Sequence, residues 1–326
     1  MAETQLTKLT FDRPGLTFGR PQRSGAMTVV PLFGPEAQGR FVSPLTGLKI
    51  SRVAGYGNVE LENPDGGVAI VPLHIGYIQH GAQNHALCRS AFIGGGQKLM
   101  FKDACCVQSG QGGYLQEKQQ WFFVLPLTLR EEALKLRGQA SFGKLWPAIE
   151  KLNARFGLTA RGHLEQIIGG CRPYLNQYQS RFELLPNQTG ALFFLKDKLA
   201  GVELAPNAAY FEEVWSALVC FCYGPMAMEE ENKVGQAVSA PRPFPAKSIT
   251  ELKGLLDSSR REVQEEVNAM LARTAGEAFQ KTEEERFLNL RLYTLSGGNF
   301  IGQCVEEDET LIYASVTATA AYYYRS

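Results

Sequence analysis

The 326-residue sequence predicts an α+β fold, on three observations. The first half carries short apolar runs that alternate or are rich in β-branched residues, with turn residues between them. Helical spacing dominates only after residue 140. The C-terminus carries two strand-like runs around a charged turn. Together these predict a β-rich N-terminal half, as an antiparallel sheet or sandwich, then helices, then a C-terminal hairpin.

Residues 1–26 hold Pro14, Gly15, Pro21 and scattered charges with little periodicity, and read alone they form a flexible arm. From "MTVVPLF" (27–33) the pattern is that of strands, continued by "LKISRV" and "NVELEN". "NPDGG" (63–67) predicts a turn, because proline presets φ and glycine tolerates positive φ. "VAIVPLHIGYI" is a continuous apolar run and predicts a buried strand. "SAFIGGG", "KLMFKDACCV" and "QWFFVLPLTL" continue the sheet.

"SFGKLWPAIEKLNARFG" spaces Phe142, Leu145, Trp146, Ile149 and Leu152 as a helix does, with Pro147 in its first turn and Gly157 as its stop. Two strands follow in "RFELLPNQTGALFFLKDKLAGVEL", then a buried helix in "AAYFEEVWSALVCFCYG". Residues 225–247 carry an acidic run followed by three prolines (Pro241, Pro243, Pro245) and predict a loop or linker. Residues 248–282 predict one long amphipathic helix, with Ser248 and Glu251 at capping-box spacing and a stripe running from Leu252 to Leu271. This helix is expected to cover its own sheet, with packing on a neighbouring chain as the alternative. The domain plan is thus an arm (1–26) and an α+β body from 27–224 and 283–320, connected by the loop and the helix. In the final hairpin "EEDET" is the turn, although it lacks glycine.

Acidic and basic residues number 33 each, so the basic excess of a nucleic-acid-coating protein is absent. The longest apolar candidate, "YFEEVWSALVCFCYGPMAM", starts with two acids and breaks at Gly224–Pro225, which fits a buried helix and not a membrane span. The seven cysteines follow a start without a signal-peptide core, and reduced thiols in the cytoplasm are expected.

Chemistry-bearing residues concentrate in "HGAQNHALCRS" (80–90), close to three of the four histidines. One interpretation is a metal site, with His80, His85, Cys88 and Cys105 or Cys106 as zinc ligands of suitable softness. The spacing matches no standard zinc module, and no cofactor is predicted. A second makes Cys105 or Cys106 a nucleophile activated by His80 or His85, although strand alternation turns the two cysteines in opposite directions. "GGGQK" and "GQGG" lack the strand-turn-helix context of a phosphate loop. The plain alternative throughout is a polar connection between strands, and no catalytic motif with the expected spacing is present.

"GAQNHALCRSAFI", "KDACCVQSGQGGY", "FELLPNQTGALFFLKDKLAGVEL" and "FEEVWSALV", taken in order, resemble the ARPP-1 domain. That family is poorly characterised and is named for association with ADP-ribosylglycohydrolases and rhodanese-phosphatase proteins. The resemblance runs from about Met27 to Ala318 and omits much of 230–280. The family pattern falls on Gly81, Gln83, Asn84 and His85; on Cys106, Val107, Gln108, Gly110 and Gln111; and on Gln188 and Gly190. His85 and Gln111 stand where the pattern has arginine, and Gln108 where it has an acid.

The resemblance implies a ligand-handling protein linked to ADP-ribose or a related nucleotide, in NAD-linked or defence systems. Gln83, Asn84, His85, Arg89, Gln108 and Gln188 would line the site. Arg89 would meet phosphate and His85 would shuttle a proton; Cys106, from the nucleophile interpretation, is the other catalytic candidate. The competing expectation is a non-enzymatic structural protein on the same fold that assembles as a homo-oligomer.

Overall fold

A computed structural model describes residues 15–78, 83–110, 121–233, 245–274 and 277–325, together with the backbone of 4–8. Its main feature is an antiparallel sheet of ten strands among these residues. The order runs Thr4–Lys8, Ala278–Phe287, Leu290–Ser296, Phe300–Glu307, Thr310–Ala318, Lys198–Leu204, Gly190–Leu195, Met27–Phe33 and Thr17–Phe18, with Gln22–Ser24 also paired to Met27–Phe33. Three small sheets are built from the segments between Lys49 and Val124.

Strand alternation sorts the main sheet's side chains into two cores. Met27, Val29, Ala191, Phe193 and Leu195 join the larger core with most of the helices and the 69–107 segments. Val30, Leu32, Leu192 and Phe194 join the core closed by Val267 and Met270 of the helix Ile249–Thr274. That helix starts with a capping bond from the Glu251 amide to Ser248 Oγ at 3.1 Å. Its C-terminal half covers the sheet, as expected. Its first turns project instead, leaving Ile249 87% and Leu252 37% exposed.

Four local expectations are corrected. The arm is not wholly apart from the body, since Thr4–Lys8 pairs with Ala278–Phe287 in register and Gln22–Ser24 pairs with Met27–Phe33. The long helix ends at Thr274, and residues 278–282 belong to a strand. "AFQKTEEERF" is charged enough to suit a helix, but pairing with Leu290–Ser296 on one side and Thr4–Lys8 on the other makes it a strand. The acidic run after Gly224 is helical over Gly224–Lys233, while 234–244 lie outside the described residues. "LPLTL" does not extend a strand: Pro126 caps the helix Leu127–Lys135.

The final hairpin forms as expected. Asp308 and Glu309 replace glycine at its turn with φ of 47° and 66°, a conformation that aspartate tolerates and that the hairpin imposes on Glu309. No helix among the described residues is long and apolar enough to cross a membrane.

A buried polar network holds the sheet to its helical face. Glu203 and Ser315 are register partners, so their side chains share a face. Ser315 donates to Glu203 Oε2 at 2.5 Å and Tyr223 to Oε1 at 2.7 Å. The buried guanidinium of Arg130 pairs with Glu203 Oε1 at 2.6 Å. Tyr223 ends a π-helix, Leu218–Tyr223, and stacks on Phe193 with ring centroids 3.9 Å apart. It fits because residue 201 is glycine: a Cβ there would lie 2.0 Å from the Tyr223 hydroxyl.

Candidate functional site

The signature segments meet through backbone pairing. His85–Ala86 pairs antiparallel with Cys105–Cys106, so His85 faces Cys106 in register. The Val107 amide donates to the Asn84 carbonyl at 2.9 Å. The Leu164 amide donates to Val107 O and the Ser109 amide to Gly162 O, both at 2.9 Å. Buried Asn153 fixes the 161–163 turn through bonds to the carbonyls of Arg161 (2.7 Å) and His163 (2.9 Å). Trp146 Nε1 donates to Cys106 O at 2.9 Å, closing one side.

This zipper gathers Asn84, Gln108, His163 and Glu165, all buried. Asn84 Nδ2 donates to Glu165 Oε1 at 2.5 Å and to Gln108 Oε1 at 3.4 Å. Glu165 Oε2 is buried with no hydrogen-bond partner among the described residues, as is Gln83 Oε1. Burial raises the Glu165 carboxyl above the ordinary carboxylate range, and the Asn84 bond only partly opposes it. Burial also raises the Cys106 thiol, and the Glu165 charge adds to that. A raised thiol is a poor nucleophile, and Cys106 Sγ donates to the Gln108 carbonyl at 3.0 Å. Burial, then Arg161, holds His163 below the usual imidazole range.

The other expected residues are used elsewhere. His85 accepts from the Gly57 amide at Nε2 (3.1 Å) and so donates from Nδ1 to the Gln83 carbonyl (2.9 Å). Both ring nitrogens are spent on backbone, which fixes a neutral tautomer and suits a positioning role better than proton transfer. Arg89 lies over the Phe101 ring at 5.2 Å, between Asp103 (3.7 Å) and Glu285 (3.8 Å), so two carboxylates already balance its charge. Gln188 closes its own turn, accepting from the Leu185 amide at 3.1 Å and donating to Gly190 O at 2.9 Å.

The described zinc candidates His85, Cys88 and Cys105 are not brought to one face by the strand register. His85 and Cys106 share one face, while Cys105 pairs with Ala86 on the other, where its thiol meets Cys88 at 3.0 Å. His80 and Gln111 lie outside the described residues, among which no group of three or more His, Cys, Asp or Glu side chains could hold a metal ion.

Sequence reasoning missed Glu165 and His163. The available signal was "GHLE", a histidine two residues from an acid, holding the one histidine outside the 74–85 region. Its partner segment, 55 residues away at Gln108, is joined to it only by the tertiary bridge between Gln108 and His163. Glu165 thereby places a carboxyl beside the neutral Gln108.

With this geometry in view, the whole-chain comparison is decisive on family. The ARPP-1 model, described as the ARG and Rhodanese-Phosphatase-superfamily-associated Protein domain, matches residues 15–317. The chain belongs to the ARPP-1 family. No curated protein and no solved structure was found to match it. The ARPP-1 match includes the helix 249–274 and both halves of the main sheet, so the family unit is nearly the entire chain.

Proposed function

We propose that this ARPP-1 protein binds or processes ADP-ribose or a related nucleotide at the Asn84–Gln108–Glu165 cluster, with Glu165 as its acid–base group. One observation carries this: a desolvated carboxyl with one oxygen held by Asn84 and the other buried without a partner among the described residues. Because the Asn84 amide occupies Oε1, the neutral acid carries its proton on Oε2. That is the arrangement of a general acid, with the proton on the atom left for a ligand. Gln83 Oε1 supplies an acceptor for a hydroxyl or a base N–H. The ADP-ribose assignment draws on the family's association with ADP-ribosylglycohydrolases. The seven free cysteines suit a cytoplasmic setting.

A melt against ADP-ribose, NAD and ADP tests the reading, since a ligand of the folded state raises its melting temperature. The expected result is an upward shift with ADP-ribose that is reduced in Asn84→Ala, with turnover but not binding lost in Glu165→Gln. No shift with any of the three ligands would sink it.

The exposed first turns of helix Ile249–Thr274 favour a second reading, a non-enzymatic protein that self-assembles through Ile249 and Leu252. Light scattering showing a monomer at high micromolar concentration would remove it.

A further inference from the structure

A groove of about 580 Å³ runs between the segment Arg20–Pro21 and one face of the helix Ile249–Thr274. Its helical wall is Gly254, Asp257, Arg260, Arg261 and Gln264. Residues 254, 257, 261 and 264 recur at three- and four-residue steps, so they line a single face.

The opposite wall is held in place. The Gly19 amide donates to Pro31 O at 2.7 Å. The Gln22 side chain clamps the Glu183 backbone twice, from Nε2 to the carbonyl (2.8 Å) and at Oε1 from the amide (2.6 Å). Arg20 lies between these two anchors. An Arg23–Glu266 pair at 2.6 Å ties the wall to the helix.

Three guanidiniums and one carboxylate line the groove, for a formal balance of +2. Asp257 engages Arg260 at 3.3 Å, while among the described residues Arg261 reaches the Ser258 hydroxyl, at 3.3 Å. The volume falls within the range of small-molecule sites, roughly 300–1,000 Å³. Guanidiniums pair bidentately with phosphate oxygens, and a diphosphate presents two adjacent phosphoryl groups to two walls.

We infer that this groove is a second site, for a metabolite carrying a diphosphate, such as a nucleoside diphosphate. It lies on the sheet face covered by Val267 and Met270, while Val107 and Leu164, which bracket the Glu165 cluster, belong to the core on the other face. The inference therefore stands independently of the function proposed for Glu165.

Titration calorimetry of the full chain with ADP at low salt tests it, with adenosine as the uncharged control and Arg20→Gln/Arg261→Gln as the variant. Both positions are exposed, so the variant should melt as the parent does. The expected result is saturable ADP binding that weakens with salt, is absent for adenosine, falls about tenfold or more in the double variant, and persists in Asn84→Ala. Unchanged ADP affinity in a folded double variant overturns the inference, as does absence of saturable ADP binding to the parent. ADP binding that disappears in Asn84→Ala but survives in the double variant assigns the ligand to the other face and equally overturns it.

Discussion

Asn84 and Glu165, 81 residues apart, are joined by a 2.5 Å bond from the amide Nδ2 to carboxyl Oε1. The bond occupies one carboxyl oxygen, and the other is buried without a hydrogen-bond partner among the described residues. It makes Glu165 the residue on which the proposed chemistry turns, and it has a thermodynamic signature.

Burial raises the Glu165 pKa in the folded state above its ordinary value of 4.5. The folded state then holds the proton more tightly than the unfolded chain. The resulting stability is fully present below about 4.5 and is lost as pH rises through the higher folded value. Glu165→Gln cannot titrate, so its stability relative to the parent should improve between pH 4.5 and neutrality. Urea unfolding at both ends of that window measures the difference; a constant gap would contradict the assigned environment.

His74 and His85 act in the opposite direction. Burial depresses both imidazoles below 6.5, and the Arg130 charge adds to the effect at His74. Stability from these groups is present above about 6.5 and falls as pH drops, because the unfolded chain takes up the protons first. NMR titration should find both rings protonating below the ordinary imidazole range, with neutral His85 as the Nδ1–H tautomer dictated by its bonds to Gly57 and Gln83.

Removing one partner of a buried ion pair leaves an uncompensated charge. Arg130→Met should destabilise the fold by about 3–5 kcal/mol, and joint replacement of Arg130 and Glu203 by apolar residues should cost less than the single change. Chemical denaturation of the parent and the two variants decides this.

Gly201→Ala places a methyl 2.0 Å from the Tyr223 hydroxyl. Overpacking of this kind destabilises by about 1–3 kcal/mol. Tyr223→Phe removes the clashing oxygen, so the double variant should be less unstable than the sum of the singles. Strict additivity would show that residue 201 does not limit the approach of Tyr223.

The long helix should tolerate change unevenly. Leu252→Lys at the projecting end is expected to alter monomer stability by no more than about 0.5 kcal/mol, whereas Val267→Lys buries a charge and should cost about 3 kcal/mol or more. Equal effects would mean that both ends are packed alike.

Strands with alternating or continuous apolar runs, the helix around Pro147 and the terminal hairpin could be recognised from the chain alone, because local periodicity and turn chemistry specify them. The signature segments could also be located, since they cluster unusual polar groups over a short span. Their roles could not. Whether His85 shuttles a proton or is bound to backbone depends on Gly57, 28 residues away, and whether Arg89 is free for phosphate depends on Glu285, 196 residues away. The strand 278–287 was hidden because its composition suits a helix and only its neighbours make it a strand. Residue order thus specifies the local elements and the polar residues available for chemistry. Long-range sheet pairing selects which of them meet, because burial and partner geometry, not residue type, set the charge and reach of each side chain.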